Sequence, residues 1–296
     1  MTRRALLIVN AKSRSGQDSL AAITTALRRH GIEPTHLQTD RREDISPAIV
    51  ARADEADMVV VAGGDGTMNA AAKGVVQSGL PLGIVPIGTA NDLARTIDVP
   101  PDVEQAVAII AAGRTRRIDL GEVNDELFFN VASIGLSVEL AKELTRDLKR
   151  RFGVLGYLIA SFRVLARARP FHAEIVFEDR RVRCKTLQIA VGNGRFYGGG
   201  NLIEEDAAID DGRLDLYSLE IAQIWHIVVM ARALRKGRHG DWDEIRSLRG
   251  ESFEIRTRRP RPVNADGEIV TRTPARFGVA KGAIEVFAPE GPPSAT

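Results

Sequence analysis

The composition of this chain is that of a globular protein rather than a disordered or fibrous one, because 44% of its 296 residues are hydrophobic and 27% are charged. The length exceeds the usual size of one domain and favours two. The single cysteine, Cys184, excludes an intramolecular disulfide and a cysteine-based zinc site, and the net charge of +2 leaves any attraction to an anionic surface to local clusters.

The first part of the chain alternates between buried strands and helices. Ala5–Val9 is a short apolar run typical of a strand buried on both faces, and Asp18–His30 carries apolar residues at helical spacing. The unit recurs with the strand Met58–Ala62, a helix over Met68–Val76 and a third strand, Leu82–Pro86. Such alternation predicts a parallel sheet with helices on both faces, whose ligands bind at the carboxyl ends of the strands.

After about Asp119 the pattern changes to short alternating runs separated by Gly, Asn and Asp turns, which predicts antiparallel strands. A helical hairpin is expected over Val138–Arg169 and a further helix over Ile221–Lys236. The apolar part of the latter segment is interrupted by polar residues and is too short to span a membrane. The predicted strands are Glu126–Val131, Ala173–Glu178, Thr186–Val191 and Arg213–Tyr217.

The fold class that follows is a two-domain α/β + β protein. Residues 1–124 are predicted to form an N-terminal α/β nucleotide-binding domain with a parallel sheet. Residues 125–296 are predicted to form a C-terminal antiparallel β-sandwich-like domain with inserted helices. We expect the active site in the cleft between the two domains.

A glycine-rich loop, Gly63-Gly64-Asp65-Gly66-Thr67, directly follows a buried strand and precedes a helix. Its glycines allow a tight turn whose backbone N–H groups can approach a phosphate, and the helix dipole adds to the attraction. Asp65 would repel a phosphate unless a cation intervenes, which favours Mg²⁺ between the carboxylate and the phosphate. The alternative is a plain strand-to-helix turn in which Asp65 caps a helix.

A second polar loop, Pro86–Ala94, follows the next strand. It supplies Thr89, Asn91 and Asp92, which could bond a nucleotide or the first loop. Taken by itself, this loop is equally well explained as an Asn-Asp helix cap. Because both loops follow strands of adjacent units, together they predict one ligand cleft.

These motifs resemble those of the bacterial diacylglycerol-kinase-like lipid kinases, which are relatives of the sphingosine and ceramide kinases. The resemblance covers nearly the whole chain. The order and spacing of four motifs make it specific, whereas NAD kinases and phosphofructokinases share the Gly-Gly-Asp-Gly-Thr loop. The four motifs are Val9–Gly16, Gly63–Asn69, Pro86–Ala94 and Asn264–Glu268, and further similarity runs through Phe129–Gly135, Asn193–Gly200 and Asp210–Asp215.

The resemblance implies an ATP site in the first domain, with Asp65 near the metal and phosphates, and an acidic element in the second. Asp266 or Glu268 would be the general base or metal partner that prepares the substrate hydroxyl, a poor nucleophile at neutral pH. The implied ATP-binding residues are Asn10, Ala11, Lys12, Ser13, Arg14, Thr39, Gly63, Gly64, Asp65, Gly66, Thr67, Met68, Asn69, Thr89 and Asn91. A structural Mg²⁺ is implied at Asp210, the carbonyl of Arg213 and Asp215.

Two positions depart from the pattern of many relatives. Ala11 stands where they have proline, and Ala70 stands where they have glutamate. The missing carboxylate at Ala70 leaves open a nucleotide-sensing or membrane-tethering protein that has lost catalysis. A second alternative is a soluble-metabolite kinase such as an NAD kinase. The Pro86–Ala94 loop argues against it, because this loop resembles that of the lipid kinases.

Basic residues between Lys142 and Arg169 are interleaved with apolar ones. They form either a membrane-facing element, in which each Lys or Arg contributes about 1 kcal/mol, or a solvated helix face that packs its apolar side on the β domain. The sequence thus predicts a cytoplasmic, ATP- and Mg²⁺-dependent kinase of a lipid hydroxyl, peripheral at the inner membrane face. A homodimer is compatible with it, and nucleic-acid binding is not expected.

Overall fold

The computed structural model describes residues 2–9, 16–136, 138, 169–194, 196–197, 201–202, 208–220 and 245–290. Contacts divide the chain into two compact units. The first unit contains the described residues up to 120 and from 281 onward, and the second contains those from 121 to 280. The helices expected within Val138–Arg169 and Ile221–Lys236, and the ATP-site residues Asn10–Arg14, lie outside the described residues.

The first unit is built on a parallel sheet with the strand order β2-β1-β3-β4. The apolar strands of this sheet are buried along their lengths, as the wholly hydrophobic runs predict. The end of the last strand, β18 (Ala275–Phe287), joins the sheet where Val286 pairs with Leu82. The elements are β1 (Arg3–Val9), α1 (Gly16–Arg29), β2 (Ile32–His36), α2 (Ile45–Ala51), β3 (Met58–Gly63), α3 (Asp65–Ser78), β4 (Leu82–Pro86), α4 (Asp92–Thr96) and α5 (Val103–Ala112).

Helix α2 packs directly on α3 at Gly74. A Cβ atom at Gly74 would lie 2.7 Å from the Ser46 backbone, so only glycine allows this approach. The Ser46 hydroxyl donates to the Ala70 carbonyl at 2.7 Å and accepts from the Gly74 amide at 2.8 Å. It therefore bridges two backbone groups of α3 and fixes the helix that follows the glycine-rich loop.

The second unit is an antiparallel sandwich, which confirms the predicted fold class. One sheet has the order β14 (Ile245–Gly250), β13 (Leu214–Leu219), β10 (Gln188–Gly192), β7 (Val131–Gly135), β16 (Pro262–Ala265) and β17 (Glu268–Arg272). In the other sheet the neighbouring strands are β18, β15 (Ser252–Thr257), β8 (Phe171–Phe177) and β9 (Arg180–Thr186). The inner faces of both contribute to one hydrophobic core that includes Ile134, Ile175 and Phe253. Within the described residues, no helix combines the length and the apolar character needed to cross a bilayer.

Most strands of the second unit are short, and tight turns at residues 178–179, 251 and 266–267 join three pairs of them. Strand β5 starts in the first unit, and β18 returns to it from Lys281 onward. The elements are β5 (Thr115–Val123), β6 (Glu126–Phe128), β7 (Val131–Gly135), β8 (Phe171–Phe177), β9 (Arg180–Thr186), β10 (Gln188–Gly192), β11 (Phe196–Tyr197), β12 (Asn201–Leu202), β13 (Leu214–Leu219), β14 (Ile245–Gly250), β15 (Ser252–Thr257), β16 (Pro262–Ala265), β17 (Glu268–Arg272) and β18 (Ala275–Phe287).

Candidate functional site

The predicted ligand-binding loops of the first unit lie at one edge of its sheet. Strands β1 to β4 run parallel, so their carboxyl ends point the same way. Thr39 follows β2, the glycine-rich loop follows β3, and Thr89 follows β4. Thr39 is half-buried and Thr89 is exposed. The fold therefore collects these residues where a parallel sheet binds its ligands.

Asp65 joins the two loops. Its Oδ1 accepts hydrogen bonds from the backbone amides of Asp92 at 2.7 Å and Leu93 at 3.4 Å. Asp65 is therefore a helix cap, but it caps α4 and not α3, the helix that it begins. Among the described residues no hydrogen bond to its Oδ2 is found, so this oxygen can serve a cation.

The two loops touch through their glycines. A Cβ atom at Gly88 would lie 2.4 Å from the Cα of Gly64, which is closer than real Cβ contacts come. Asn91, with a φ of 53°, closes the second loop, because its side-chain amide bonds both the N–H and the C=O of Gly88 at 3.0 Å. The predicted nucleotide-binding side chain of Asn91 thus holds the loop together.

Replacing Gly88 with alanine is expected to lower the unfolding free energy of the protein by about 1–3 kcal/mol, the usual cost of forcing a methyl group into a packed site. The added methyl group would push the Gly64 backbone away and separate the loops. Gly278→Ala is the matched control, since nothing in the described structure lies within 4 Å of a Cβ atom there. Thermal unfolding measures both, and equal midpoints for the two variants would contradict the contact.

The start of helix α3 is open to an external hydrogen-bond acceptor. The amides of Thr67 and Met68 bond the Gly64 carbonyl at 2.9 and 3.2 Å, and within the described part of the chain no side chain caps the helix. The amides of Asp65 and Gly66 come first in this helix, where the dipole is positive. Backbone groups so placed bind phosphate.

Several predicted ATP-site residues contribute backbone or support rather than exposed side chains. Met68 is 3% exposed and Thr67 is 7% exposed. A Cβ atom at Gly63 would lie 2.6 Å from the Thr67 side chain, so Thr67 packs against the end of β3. Asn69 is half-buried one residue further along α3.

Arg42 is a residue of this edge that the sequence analysis missed. Its Nη2 donates a hydrogen bond to the carbonyl of Gly66, in the first turn of α3. Desolvation lowers the pKa of the Arg42 guanidinium, yet arginine stays charged because its ordinary pKa is above about 12. A fixed positive charge therefore stands beside the turn that is predicted to bind phosphate. The sequence signal that could have identified Arg42 is its position in the loop after β2, shortly after the predicted ATP-site residue Thr39.

In the second unit, Asp266 and Gly267 form the turn of the β16–β17 hairpin, as the Asp-Gly pair predicts. Their φ angles are 46° and 95°. The Asp266 carboxylate accepts three backbone N–H bonds, from Phe129 at 2.6 Å, Asn130 at 3.0 Å and Val131 at 3.2 Å. This carboxylate anchors a distant segment of the chain.

The anchoring corrects one predicted strand. The run Glu126–Val131 is not continuous, because the chain leaves the ladder after β6 and enters β7 at Val131. Asn193 holds the gap from the other side, donating from Nδ2 to the Phe129 carbonyl at 2.9 Å and from its backbone amide to the Asn130 carbonyl at 2.8 Å. The alternating pattern predicted one strand because it contains no information about the hydrogen bonds that Asp266 and Asn193 make to this segment.

Asn130 is 3% exposed, and among the described residues its side-chain Oδ1 has no hydrogen-bond partner. A buried polar atom without a partner is costly, so such atoms commonly mark a water or ligand contact. The neighbouring Glu268 is half-buried at the start of β17, opposite Ala265. The sequence analysis gave Asn130 no role.

The predicted metal residues Asp210, Arg213 and Asp215 precede and enter β13. Asp210 is exposed, whereas Asp215 is 7% exposed and lies 3.6 Å from Nε of Arg249. Arg249 also pairs with Asp211. The described side chains include no group of three or more acidic, histidine or cysteine residues that could hold a metal ion. The structural Mg²⁺ stays a prediction, and a guanidinium already supplies positive charge beside two carboxylates of this loop.

Asp65 could bind Mg²⁺ as a single carboxylate ligand, unlike the group of ligands predicted around Asp210 and Asp215. Magnesium bound near phosphates commonly takes one or two protein carboxylates and completes its shell with phosphate oxygens and water. Asp65 offers Oδ2 for such a role while Oδ1 holds α4 in place. The donor set therefore fits a magnesium ion that arrives with a phosphate ligand.

Comparison with known proteins matches both units. A family model described as the diacylglycerol kinase catalytic domain matches residues 4–123. A model described as the YegS C-terminal NAD kinase beta sandwich-like domain matches residues 130–288. A protein named diacylglycerol kinase from Staphylococcus epidermidis is 29% identical, with 98% of this chain and 93% of that protein covered.

Other similar proteins also align over the full length. A protein named "Probable lipid kinase YegS-like" from Pseudomonas savastanoi pv. phaseolicola is 31% identical, with 98% of this chain and 95% of that protein covered. A crystal structure of a diacylglycerol kinase from Bacillus anthracis shares the fold, with a TM-score of 0.76 at 22% identity over 97% of each chain. A crystal structure of a second protein, a "putative diacylglycerol kinase" from Bacillus anthracis str. Sterne, has a TM-score of 0.82 at 26% identity. The match covers 97% of this chain and 95% of that chain.

Proposed function

Because this chain belongs to the diacylglycerol kinase family, a family of lipid kinases, we propose that it transfers the γ-phosphoryl group of ATP to a hydroxyl of a lipid. The acceptor would be diacylglycerol or a related glycerolipid or sphingoid lipid. The observation that carries the proposal is the open start of α3, where amides, Arg42 and Asp65 stand together. This combination suits a triphosphate with its metal.

The first unit would hold the phosphates mainly with its backbone. The amides of Asp65 and Gly66 donate to phosphate oxygens, and Arg42 adds a positive charge beside them. Asp65 keeps α4 and the second loop in place through Oδ1. Mg²⁺, when bound, would neutralise charge on the phosphates. Catalysis here would consist largely of positioning and charge neutralisation.

Glu268 is the better candidate for the group that takes the proton from the acceptor hydroxyl. The Asp266 carboxylate is engaged with three backbone amides that hold Phe129, Asn130 and Val131. Glu268 follows this turn directly on β17 and is half-buried. Asp266 would position the hairpin, and Glu268 would act as the general base.

The direct test is to incubate the protein with ATP and Mg²⁺ and to supply separate acceptors. The panel contains diacylglycerol, monoacylglycerol, a sphingoid base, ceramide, phosphatidylglycerol and NAD. We expect labelled phosphate in a lipid product. Phosphorylation of NAD without any lipid product would favour the second candidate, a soluble-metabolite kinase. The match of the second unit to an NAD kinase beta sandwich-like domain supports this candidate. ATP binding without any product would indicate a protein that has lost catalysis.

Replacing Arg42 with alanine is expected to raise KM for ATP by about 10- to 100-fold, as the loss of a hydrogen bond to a charged group costs about 1.5–3 kcal/mol. Steady-state kinetics at varied ATP measures the change, and Arg42→Lys should restore part of it. Arg41→Ala is the matched control, because Arg41 is 68% exposed and pairs with Glu43 and Asp44. Equal KM values for both alanine variants would remove Arg42 from the site.

A further inference from the structure

The outer face of the sheet formed by β9, β8, β15 and β18 in the second unit is rich in basic side chains. Residues alternate along these strands, so Ala173, Ile175 and Ile255 enter the core while their neighbours point outward. We call the outward residues the basic sheet face. It comprises Arg181, Arg183, Lys185, Arg256, Arg276, His172 and the adjoining Arg258, together with Glu174 and Glu254.

The two glutamates neutralise only part of this charge. Glu174 pairs with Arg183 at 3.2 Å, and Glu254 pairs with Arg256 at 2.9 Å. The hydrogen bond from Arg256 lowers the pKa of Glu254, and the charges of Arg276 and Arg181 act in the same direction. Both glutamates are thus already matched by arginines, and the remaining cations leave the face with an excess of positive charge.

The cations come from strands that are separate in the sequence, but strand pairing makes them neighbours on one surface. Strand pairing places His172 opposite Lys185, Val176 opposite Arg181, and Glu254 opposite Arg276. An open hollow of about 460 Å³ lies among them, lined by His172, Glu174, Arg183, Lys185, Arg256 and Arg258. Arg183, Lys185, Arg256 and Arg258 therefore line an accessible depression within the basic sheet face.

Protection of a sheet edge explains only part of this pattern. Charged side chains on an edge strand prevent pairing with another sheet, and β9 ends the described strand order. Arg256 and Arg276, however, lie on β15 and β18, which have partners on both sides. Proteins usually intersperse both signs of charge, and a large single-sign surface indicates an oppositely charged partner.

We propose that the basic sheet face docks the protein on the anionic surface of a phospholipid bilayer. A sheet presents its cations side by side, which suits a layer of anionic headgroups. Among its described outward residues there is no Phe, Tyr or Trp, the large aromatic side chains on which nucleic-acid bases usually stack. The proposal is independent of the ATP site, although the proposed lipid substrate explains why such docking would be useful.

The test compares binding to vesicles of phosphatidylcholine with binding to vesicles that also contain phosphatidylglycerol. The face variant carries Arg181→Gln, Lys185→Gln and Arg276→Gln, all at exposed positions. Each Lys or Arg near an anionic membrane contributes about 1 kcal/mol, so the variant should partition about 100-fold more weakly into the mixed vesicles. Added salt should weaken wild-type binding.

The matched control variant loses the same charge elsewhere. Its changes, Arg28→Gln, Arg29→Gln and Arg52→Gln, fall on arginines of the first unit that are paired with Glu33, Glu104 and Glu55. This control should bind mixed vesicles about as well as the wild type. A loss equal to that of the face variant would mean a general charge effect and would overturn the proposal.

Two further results would also overturn it. One is unchanged binding of the face variant, and the other is wild-type binding to duplex DNA or RNA in preference to mixed vesicles. Kinase activity on detergent-dispersed lipid should be the same in the face variant and the wild type, with a loss only on vesicles. If no acceptor is phosphorylated but the face variant still loses binding, the proposed function fails and the docking surface stands.

Discussion

The Asp65→Asn variant is expected to lose about 10²- to 10³-fold in kcat, the usual effect of removing one charge-stabilising group from an active site, while the fold is retained. Asparagine keeps a side-chain oxygen that can accept from the Asp92 amide, as Oδ1 does now at 2.7 Å. It loses the negative charge that would hold Mg²⁺ against the phosphates. The variant thus separates the electrostatic role from the capping role.

The comparison with Asp65→Ala completes this experiment. Alanine removes the charge and also the cap of α4, which should lower the unfolding free energy by about 0.5–2 kcal/mol. We therefore expect a similarly large loss of kcat for both variants in the lipid assay, but a lower thermal midpoint only for the alanine variant. Near-normal turnover in Asp65→Asn would show that Asp65 is a helix cap alone.

The sequence predicts the first unit well where strands are wholly apolar. Runs such as Ala5–Val9 and Leu82–Pro86 carry a signal that burial on both faces explains. Strand β2 was missed because its residues, Ile32–His36, include Pro34 and only Ile32 among them is buried, since the strand lies at the end of the strand order. The short helix α2 was missed for a similar reason, since its seven residues give little periodicity.

The contacts of the candidate site are less visible in the sequence because they join distant segments. The sequence around Arg42 does not indicate that its guanidinium donates a hydrogen bond to Gly66. This bond forms only because the fold brings the chain after β2 beside α3. The same holds for the bonds from Asp266 to the segment after β6. Motifs identified Asp65 and Asp266 as important, but the bonds that they accept could be seen only in the structure.

Ala70 shows how a departure from a family pattern can be re-examined in the structure. The sequence analysis treated it as the loss of a carboxylate from the cleft. In the structure its carbonyl accepts the Ser46 hydroxyl, one of the bonds that ties α2 to α3. Helix α3 is therefore supported from behind at this position, and Asp65 is the acidic residue that the first turn retains.

Changing Glu268 to glutamine is expected to lower kcat by about 10²- to 10⁴-fold, the usual contribution of a general base. Glutamine has nearly the same shape but cannot accept the proton of the acceptor hydroxyl. Because Glu268 is half-buried at the start of β17, the thermal midpoint should stay close to that of the wild type.

Asp266→Ala is the matched comparison, because it removes the neighbouring carboxylate of the same turn. The amides of Phe129, Asn130 and Val131 would lose their acceptor, and each buried group left unpaired costs about 1–3 kcal/mol. The main effect should therefore be a lower thermal midpoint. A different result would identify Asp266 as the base: an Asp266→Ala protein with an unchanged thermal midpoint and no turnover, together with an active Glu268→Gln protein. In that case the hairpin would be intact without Asp266, and the loss of turnover would be due to the loss of the proton acceptor.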